Sequence, residues 1–522
     1  MKKTFVVLLS VLFVLSMAVA AFAVHPTQPS EMVKVGAKGK TQIVLGGSIR
    51  MRGDLRTDVM YANADPLTMT IAASALDAAG LTAEGGGLGD YNMDGDTDNF
   101  DIFDFLLDAG VSSPDAIDAV DLLDELDLDD IILDGLARKV DNQANYDGRV
   151  RIWLDAYVSD NTMGRIQLET GRNNASDGYQ WGCDGARDSS GIYPEGNCKK
   201  DELRVLEAFI KHEGSGLLGI PAGFKIGHFP IQLGRGLFLL HNRFGDDVID
   251  LYADLSDNFH LEFVMAKFTE GSSTHAGDDT DTYTLIANYT GSNFNVGGDV
   301  TYLRDKNFAT KDGADLWNFG VRGNVDVGFN IYADVEIQTG SADDASLDPV
   351  TLTTDDLDFG GYAVVVGADF TISGPAINLN AEFGLGSGDD DIGDGDLDTF
   401  VTSLSATKKF TYVYDYRAMT AALGSNTGIA NTTYIKVGAS GSPSPELKAG
   451  LDVYWLQATE DVLGEDELGF EVDGKMSYKI DTNLEYFIEG GALFAGDFYD
   501  NFDEDGDADT MWIVRHGIQL GF

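Results

Sequence analysis

From residue 43 onward the chain repeats one pattern, in which apolar and polar side chains alternate one for one over runs of about ten residues. Ile43, Leu45, Gly47, Ile49 and Met51 alternate with Val44, Gly46, Ser48, Arg50 and Arg52, which predicts a first strand. In the second, Val150, Ile152, Leu154, Ala156 and Val158 take one face and Arg149, Arg151, Trp153, Asp155 and Tyr157 the other. Past the turn at 159–162, Ile166 and Leu168 stand opposite Arg165, Gln167 and Glu169 in a third. Further strands are predicted near 203–212, 222–229, 247–255, 259–267, 282–290, 294–303, 315–325, 329–338, 360–371, 375–385, 432–440, 445–457, 467–479, 482–495 and 511–522. That makes about eighteen, and a competing strand at Phe400 to Leu404 would change the count.

The joints supply a second, independent signal. Those after even-numbered strands are mostly short turns, such as 159–162, 256–258, 290–293 and 481–482; those after odd-numbered strands are mostly long and acidic. A sandwich has no reason to sort loop lengths by parity. A membrane barrel does, because one rim carries short periplasmic turns and the other long outer loops, and an even count returns both ends to the periplasm. One face of residues 447–455 (Leu447, Ala449, Leu451, Val453, Trp455) is unbroken by charge, as contact with lipid demands. The pattern therefore predicts an all-β fold: a transmembrane antiparallel β-barrel over 41–522, with 24–40 as a periplasmic lead-in.

The closing stretch sharpens this. In 511–522, Trp512, Val514, Ile518, Leu520 and Phe522 share a face interrupted only by His516, opposite Arg515, Gly517, Gln519 and Gly521. Such a strand, ending in Phe, resembles the closing strand of bacterial outer-membrane barrels, which the barrel-assembly machinery recognises. The resemblance implies the cell outer membrane as location, its lipid as surroundings and that machinery as a partner in biogenesis. Monomer and trimer both remain open.

Residues 56–146, between the first two strands, are predicted to form an extracellular insertion. Within it Asp90, Asn92, Asp94, Asp96, Asp98 and Asp101 stand at positions 1, 3, 5, 7, 9 and 12 of a loop with Gly95 at position 6. Oxygen ligands at that spacing wrap a hard cation, so the loop predicts bound Ca2+. With Asp rather than Glu at position 12 it resembles a dockerin-type calcium loop; a dockerin carries two such loops, and only one is visible here. The apolar stripe Ile117, Val120, Leu123 and Leu126, entered through Ser113, Pro114 and Asp115, predicts a helix, giving a small helical insertion.

Composition sets the compartment. Lys2 and Lys3 precede the apolar run Phe5 to Val19, and Ala21, Phe22 and Ala23 form a small-x-small cleavage site, so residues 1–23 read as a secretory signal peptide. No later apolar run approaches the roughly 20 residues of a membrane helix. Loss of the two lysines takes the net charge from -51 to -53, which argues against nucleic acid as a partner. Cys183 and Cys198, the only cysteines of an exported chain, predict a disulfide closing one surface loop.

Against this acidity the inward arginines stand out. Closing the barrel sets Arg515 beside Arg50 and Arg52, then Arg149, Arg151 and Arg165, on one contiguous part of the wall. Guanidinium groups grip carboxylates bidentately, so this wall predicts a path for an anionic small molecule or oligosaccharide. The competing account is structural, since Asp54, Asp155 and Glu169 also face inward and arginine-carboxylate ladders stiffen barrels.

Ile226 to Gly236, Asn242, Arg243, Phe244 and Asp246 to Val248, with Leu206 to Ile210 upstream and Gly386 to Asp389 downstream, resemble the alginate-export family of outer-membrane porins. The resemblance implies an eighteen-stranded barrel with an arginine-lined pore for passive diffusion, and a loop carrying Arg235 and Arg243 folded inward to narrow it. Gly227, His228 and Phe229 replace the family's usual Gly-Arg-Gln, so the pore carries over and alginate does not. Two alternatives compete: a barrel anchoring a calcium-dependent surface-binding module, and the sheath of a transmembrane electron conduit. The latter would take its haems from a partner, because the chain has no CxxCH motif. No metal-pair histidines, nucleophile elbow or phosphate-cradling loop points to an enzyme.

Overall fold

The computed structural model of the chain describes residues 33–36, 41–62, 137–170, 179–180, 203–214, 216, 219–270, 279–306, 313–347, 354–372, 377–389, 395–402, 410–415, 428–461, 465–502 and 508–522. Eighteen long antiparallel strands form its wall: β1 Gln42–Ala62, β2 Ala137–Ser159, β3 Thr162–Thr170, β4 Leu203–Gly214, β5 Ala222–Gln232 and β6 Leu240–Ser256. There follow β7 Phe259–Thr269, β8 Thr280–Thr290, β9 Phe294–Asp305, β10 Ala314–Asp326, β11 Asn330–Leu347 and β12 Tyr362–Ile372. The wall is completed by β13 Ile377–Gly386, β14 Thr432–Gly441, β15 Leu447–Ala458, β16 Gly469–Asp481, β17 Leu484–Ala495 and β18 Met511–Gly521. Short strands at Val33–Gly36, Tyr179–Gln180, Thr354–Phe359 and Asp396–Leu397 attach to it.

Each strand pairs with its neighbours in sequence, and β18 pairs back onto β1 from Ser48↔Gly521 to Thr57↔Trp512, so the sheet closes. Closure removes the free edges that lipid cannot satisfy. At the seam Gly47 and Phe522 exchange backbone hydrogen bonds of 2.8 and 3.0 Å. Below that point β1 has no partner in β18, and Val33–Gly36 pairs with Gln42–Leu45 there instead. The connections alternate as the parity argument requires, with turns at 160–161, 257–258, 291–293, 327–329 and 482–483 on one rim.

The two faces of each strand differ in chemistry. On β18, Trp512, Val514, Ile518 and Leu520 are 38 to 45 % exposed on the outer face, while Arg515 and Gln519 are buried on the inner one. The outward aromatics gather at both rims. Tyr283, Trp317, Tyr362, Trp455, Phe470 and Trp512 ring the long-loop end, and Tyr289, Phe294, Phe370, Tyr478 and Phe522 the turn end. Two aromatic girdles flanking an apolar band mark the interfaces of a membrane-spanning barrel.

Several expectations need adjustment. Strands β1 and β2 run on, paired from Leu55↔Ala144 to Ala62↔Ala137, through both ends of the stretch 56–146 assigned to the insertion. In such a long hairpin the backbone groups are paired with each other, where in a loop they would be left to water. Among the described residues there is no α-helix. The helix predicted from Ala116, the calcium-loop residues 90–101, the signal segment 1–23 and Cys183 and Cys198 all lie outside the described residues. Phe400 forms no wall strand; it is fully buried inside the barrel, and its apolar neighbourhood reflects that core.

Candidate functional site

The inner faces of β18, β1, β2 and β3 carry a row of guanidinium groups. Strand pairing dictates the row: Asp54 faces Arg515, Arg52 faces Asp147, Arg50 faces Arg149, Arg151 faces Glu169 and Asp155 faces Arg165. Each carboxylate in the middle of the row serves two arginines. Asp54 Oδ2 lies 2.8 Å from Arg515 Nη2 and 3.0 Å from Arg56 Nη2. Asp147 takes Arg52 Nε at 2.7 Å and Arg50 Nη2 at 3.8 Å. Glu169 binds Arg151 Nε and has Arg149 Nε at 3.7 Å. Arg165 is gripped in two-point fashion by Asp155 at 2.6 and 2.9 Å, with Glu207 at 3.7 Å from its other nitrogen.

All six arginines predicted for this wall thus share one continuous ladder, and both accounts of them, solute path and stiffening ladder, describe the same groups. Arg56, Asp147, Glu207 and Glu489 belong to it as well and were not foreseen. Arg56 fell inside the assigned insertion, and the three acids are set by register across strands, which single-strand alternation does not reveal.

Two outer connections fold inward. The segment 233–239 joins β5 to β6, turns tightly through a Gly236 N–H to Leu233 carbonyl bond of 2.7 Å, and buries Leu233, Leu237, Phe238 and Leu239. These pack on Val248, Val264, Ile286, Leu303 and Leu316 from the inner faces of β6 to β10. Burying one such side chain contributes about 1.5–3 kcal/mol, which is what draws a loop off the rim and into the lumen. Its tip spans to the far wall: the Arg235 amide donates to Asp334 Oδ2 at 2.7 Å, and its guanidinium donates to Glu382 Oε2 at 2.9 Å while lying 3.9 Å from the Tyr332 ring centre. Gly234 has φ 49°, and a Cβ there would meet Arg322 at 2.3 Å and Asp334 at 2.5 Å, so the close approach requires glycine. Arg243 lies in β6, and its side chain is outside the described residues. His228 bonds to Asp247 at 3.0 Å and to the Phe244 carbonyl at 2.7 Å, while neighbouring Phe229 is buried against Phe209.

The second inward connection joins β13 to β14. Gln338 on β11 brackets Val401 with bonds of 2.7 and 3.0 Å to its amide and carbonyl. Farther on, the backbone amides of Tyr412, Val413 and Tyr414 donate to the Glu471 carboxylate on β16 at 2.8, 2.6 and 2.8 Å. Phe410 stacks on Tyr434 at 4.6 Å, and the Tyr454 hydroxyl donates to its carbonyl at 2.6 Å. Tyr412 also touches the ladder, donating to Glu489 at 3.1 Å with its ring 6.0 Å from the Arg515 guanidinium carbon. The infolded segments therefore cover β6 to β17 from within, and the arginine ladder faces them from the other side.

Residues 269–511 match the family model described as Alginate export. The stretch Gly386 to Asp389 falls inside the matched range, and Leu206 to Ile210, Ile226 to Gly236 and Asn242 to Val248 fall outside it. No curated protein matches the chain. Among solved structures it is similar to Pseudomonas aeruginosa OccK9 (OpdG), at 11% identity and TM-score 0.48, over 92% of this chain and 98% of that one. It is also similar to Pseudomonas aeruginosa OccK8 (OprE), at 9% and 0.46 over 92% and 98%, and to Salmonella typhi OmpF in complex with daunomycin, at 10% and 0.37 over 94% and 100%. The closed barrel with its apolar, lipid-facing outer surface is that of a Gram-negative outer-membrane protein, similar over 269–511, just under half of the chain, to the alginate-export family.

Proposed function

We propose that the barrel is a passive channel for small hydrophilic anions, which move along the arginine ladder past the infolded segments. The observation that carries this reading is the sharing of carboxylates: Asp54, Asp147 and Glu169 each serve two guanidinium groups. A guanidinium has five donors in a rigid fork, and one carboxylate divided between two such groups leaves the wall attractive to a further carboxylate or phosphate. Facing groups spaced along the wall let an anion pass from one to the next without tight capture, which conduction requires.

Reversal potential across a salt gradient tests this with purified protein in planar bilayers. Wild-type channels are expected to prefer anions, and Arg52→Ala with Arg151→Ala is expected to lower that preference. Cation preference in the wild-type channel would overturn the proposal and return the ladder to a purely stiffening role.

A further inference from the structure

Near the turn-bearing rim the inner faces of β2 to β7 line an open cavity of about 570 Å³ that the arginine ladder reaches but does not fill. Its charges are sorted by strand. Arg165 on β3, Lys211 on β4 and Lys225 on β5 give one side, while Asp250 and Asp254 on β6 and Glu262 on β7 give the other. Glu213 on β4 breaks the pattern, but it is bound to Lys211 and accepts the Tyr252 hydroxyl. Arg165 is likewise held by Asp155, and Asp254 by His260 at 2.8 Å.

That leaves Lys225 and Asp250 with capacity to spare, beside Glu262, whose Oε2 has His260 Nε2 at 3.6 Å. Lys225 and Asp250 are direct partners across β5 and β6, yet among the described residues they form no ion pair. The Lys225 ammonium instead lies over the rings of Phe229 and Phe209, 3.7 and 4.3 Å from their centres. Asp250 has a buried Oδ1 without a hydrogen-bond partner, and Glu262, diagonally across from it on β7, lines the same side of the cavity. Two adjoining carboxyls facing a lysine that rests on aromatic rings make a dipolar cleft: one end calls for an ammonium, the other for a carboxylate.

We propose that this cavity is a binding station for a small zwitterionic solute, whose ammonium lies between Asp250 and Glu262 and whose carboxylate meets Lys225. The station rests on the channel reading in lying along the same lumen, and it adds a selectivity that the ladder alone does not give. A solute with only a negative charge meets Asp250 and Glu262 unfavourably, and one with only a positive charge meets Lys225. A zwitterion satisfies both ends.

The experiment uses the whole protein in planar bilayers, with 4-aminobutanoate as probe and butanoate and butylamine as single-charge controls. 4-Aminobutanoate is expected to interrupt the current at concentrations at least tenfold lower than either control. Asp250→Asn with Glu262→Gln, and separately Lys225→Gln, are expected to raise that concentration at least tenfold; retained heat-modifiable mobility on gels shows that the variants are folded. Butanoate acting as strongly as 4-aminobutanoate and ignoring the Asp250 and Glu262 changes would overturn the station, as would butylamine acting as strongly and ignoring Lys225→Gln. Calorimetric titration of the detergent-solubilised protein with 4-aminobutanoate reads the same affinities without current, and absence of heat there would also sink it. Cation preference of the wild-type channel with 4-aminobutanoate binding intact would remove the anion reading and leave the station standing.

Discussion

The Glu471 carboxylate on β16 accepts the Val413 backbone N–H at 2.6 Å, and the two amides flanking Val413 join it at 2.8 Å each. Three backbone donors converging on one buried carboxylate hold residues 410–415 against the inner wall, where the Val413 and Tyr414 amides would otherwise lose this acceptor away from water and the Tyr412 amide would keep only Asp473, at 2.9 Å. Replacing Glu471 with Ala is expected to release this segment and raise single-channel conductance. Glu471→Gln, which keeps one acceptor oxygen, should give an intermediate value. Unchanged conductance in both variants would mean that the segment does not bound the conducting path.

Arg235 makes the corresponding anchor for the 233–239 segment. Glu382 accepts its guanidinium at 2.9 Å and also accepts the Tyr332 and Tyr434 hydroxyls at 2.7 and 2.8 Å. Arg235→Ala removes the positive member of this group and leaves the Glu382 charge in place. Its expected outcome is a reversal potential shifted toward cations, with Glu382→Gln in the same background shifting it back. A variant indistinguishable from wild type would place Arg235 away from the ion path.

The outer face should obey the energetics of lipid. Val437, in the middle of β14, is 59 % exposed there. Val437→Arg is expected to destabilise the barrel by about 2–4 kcal/mol, the cost of a cation near the bilayer midplane. Urea unfolding in liposomes reads this directly, and a loss below about 0.5 kcal/mol would contradict the outward assignment of β14.

Two glycines on the outer face predict opposite tolerance. A Cβ at Gly47 would meet the Phe522 ring at 2.5 Å and the Arg151 carbonyl at 2.9 Å, whereas one at Gly474 would meet nothing within 4 Å. Gly47→Val is expected to cost about 1–3 kcal/mol through forced displacement of the seam. Gly474→Val should stay within about 0.5 kcal/mol of wild type. Equal losses in the two variants, measured by urea unfolding, would show that the ring does not pack on Gly47.

How far these features can be read from the chain depends on what fixes them. The wall strands follow from period-two alternation, since every wall residue faces either lipid or lumen, and the parity of joints such as 257–258 and 291–293 supplies their order. Leu237, Phe238 and Leu239 carry no such period. Their inward fold is decided by β6 to β10 and by Asp334 and Glu382, remote in sequence and brought close only by closure. Phe400 misleads for a related reason, being apolar to fill the barrel's interior rather than to face lipid. In the ladder the arginines are visible as inward residues, but Asp147, Glu207 and Glu489 become their partners only through register.

The seam carries a consequence for assembly. Arg515 and Asp54, bonded at 2.8 Å, are 461 positions apart, so the pairing of β1 with β18 is the most non-local contact of the wall. Such contacts form late, after the cost of closing the intervening chain has been met. A nascent chain that has reached only β17 presents β1 from Ser48 to Thr57 as an open row of amides and carbonyls, ready to template onto any other strand. Met511 to Gly521 supplies the partners that cover that row, so the last strand of the chain is the one that ends the exposure of the first.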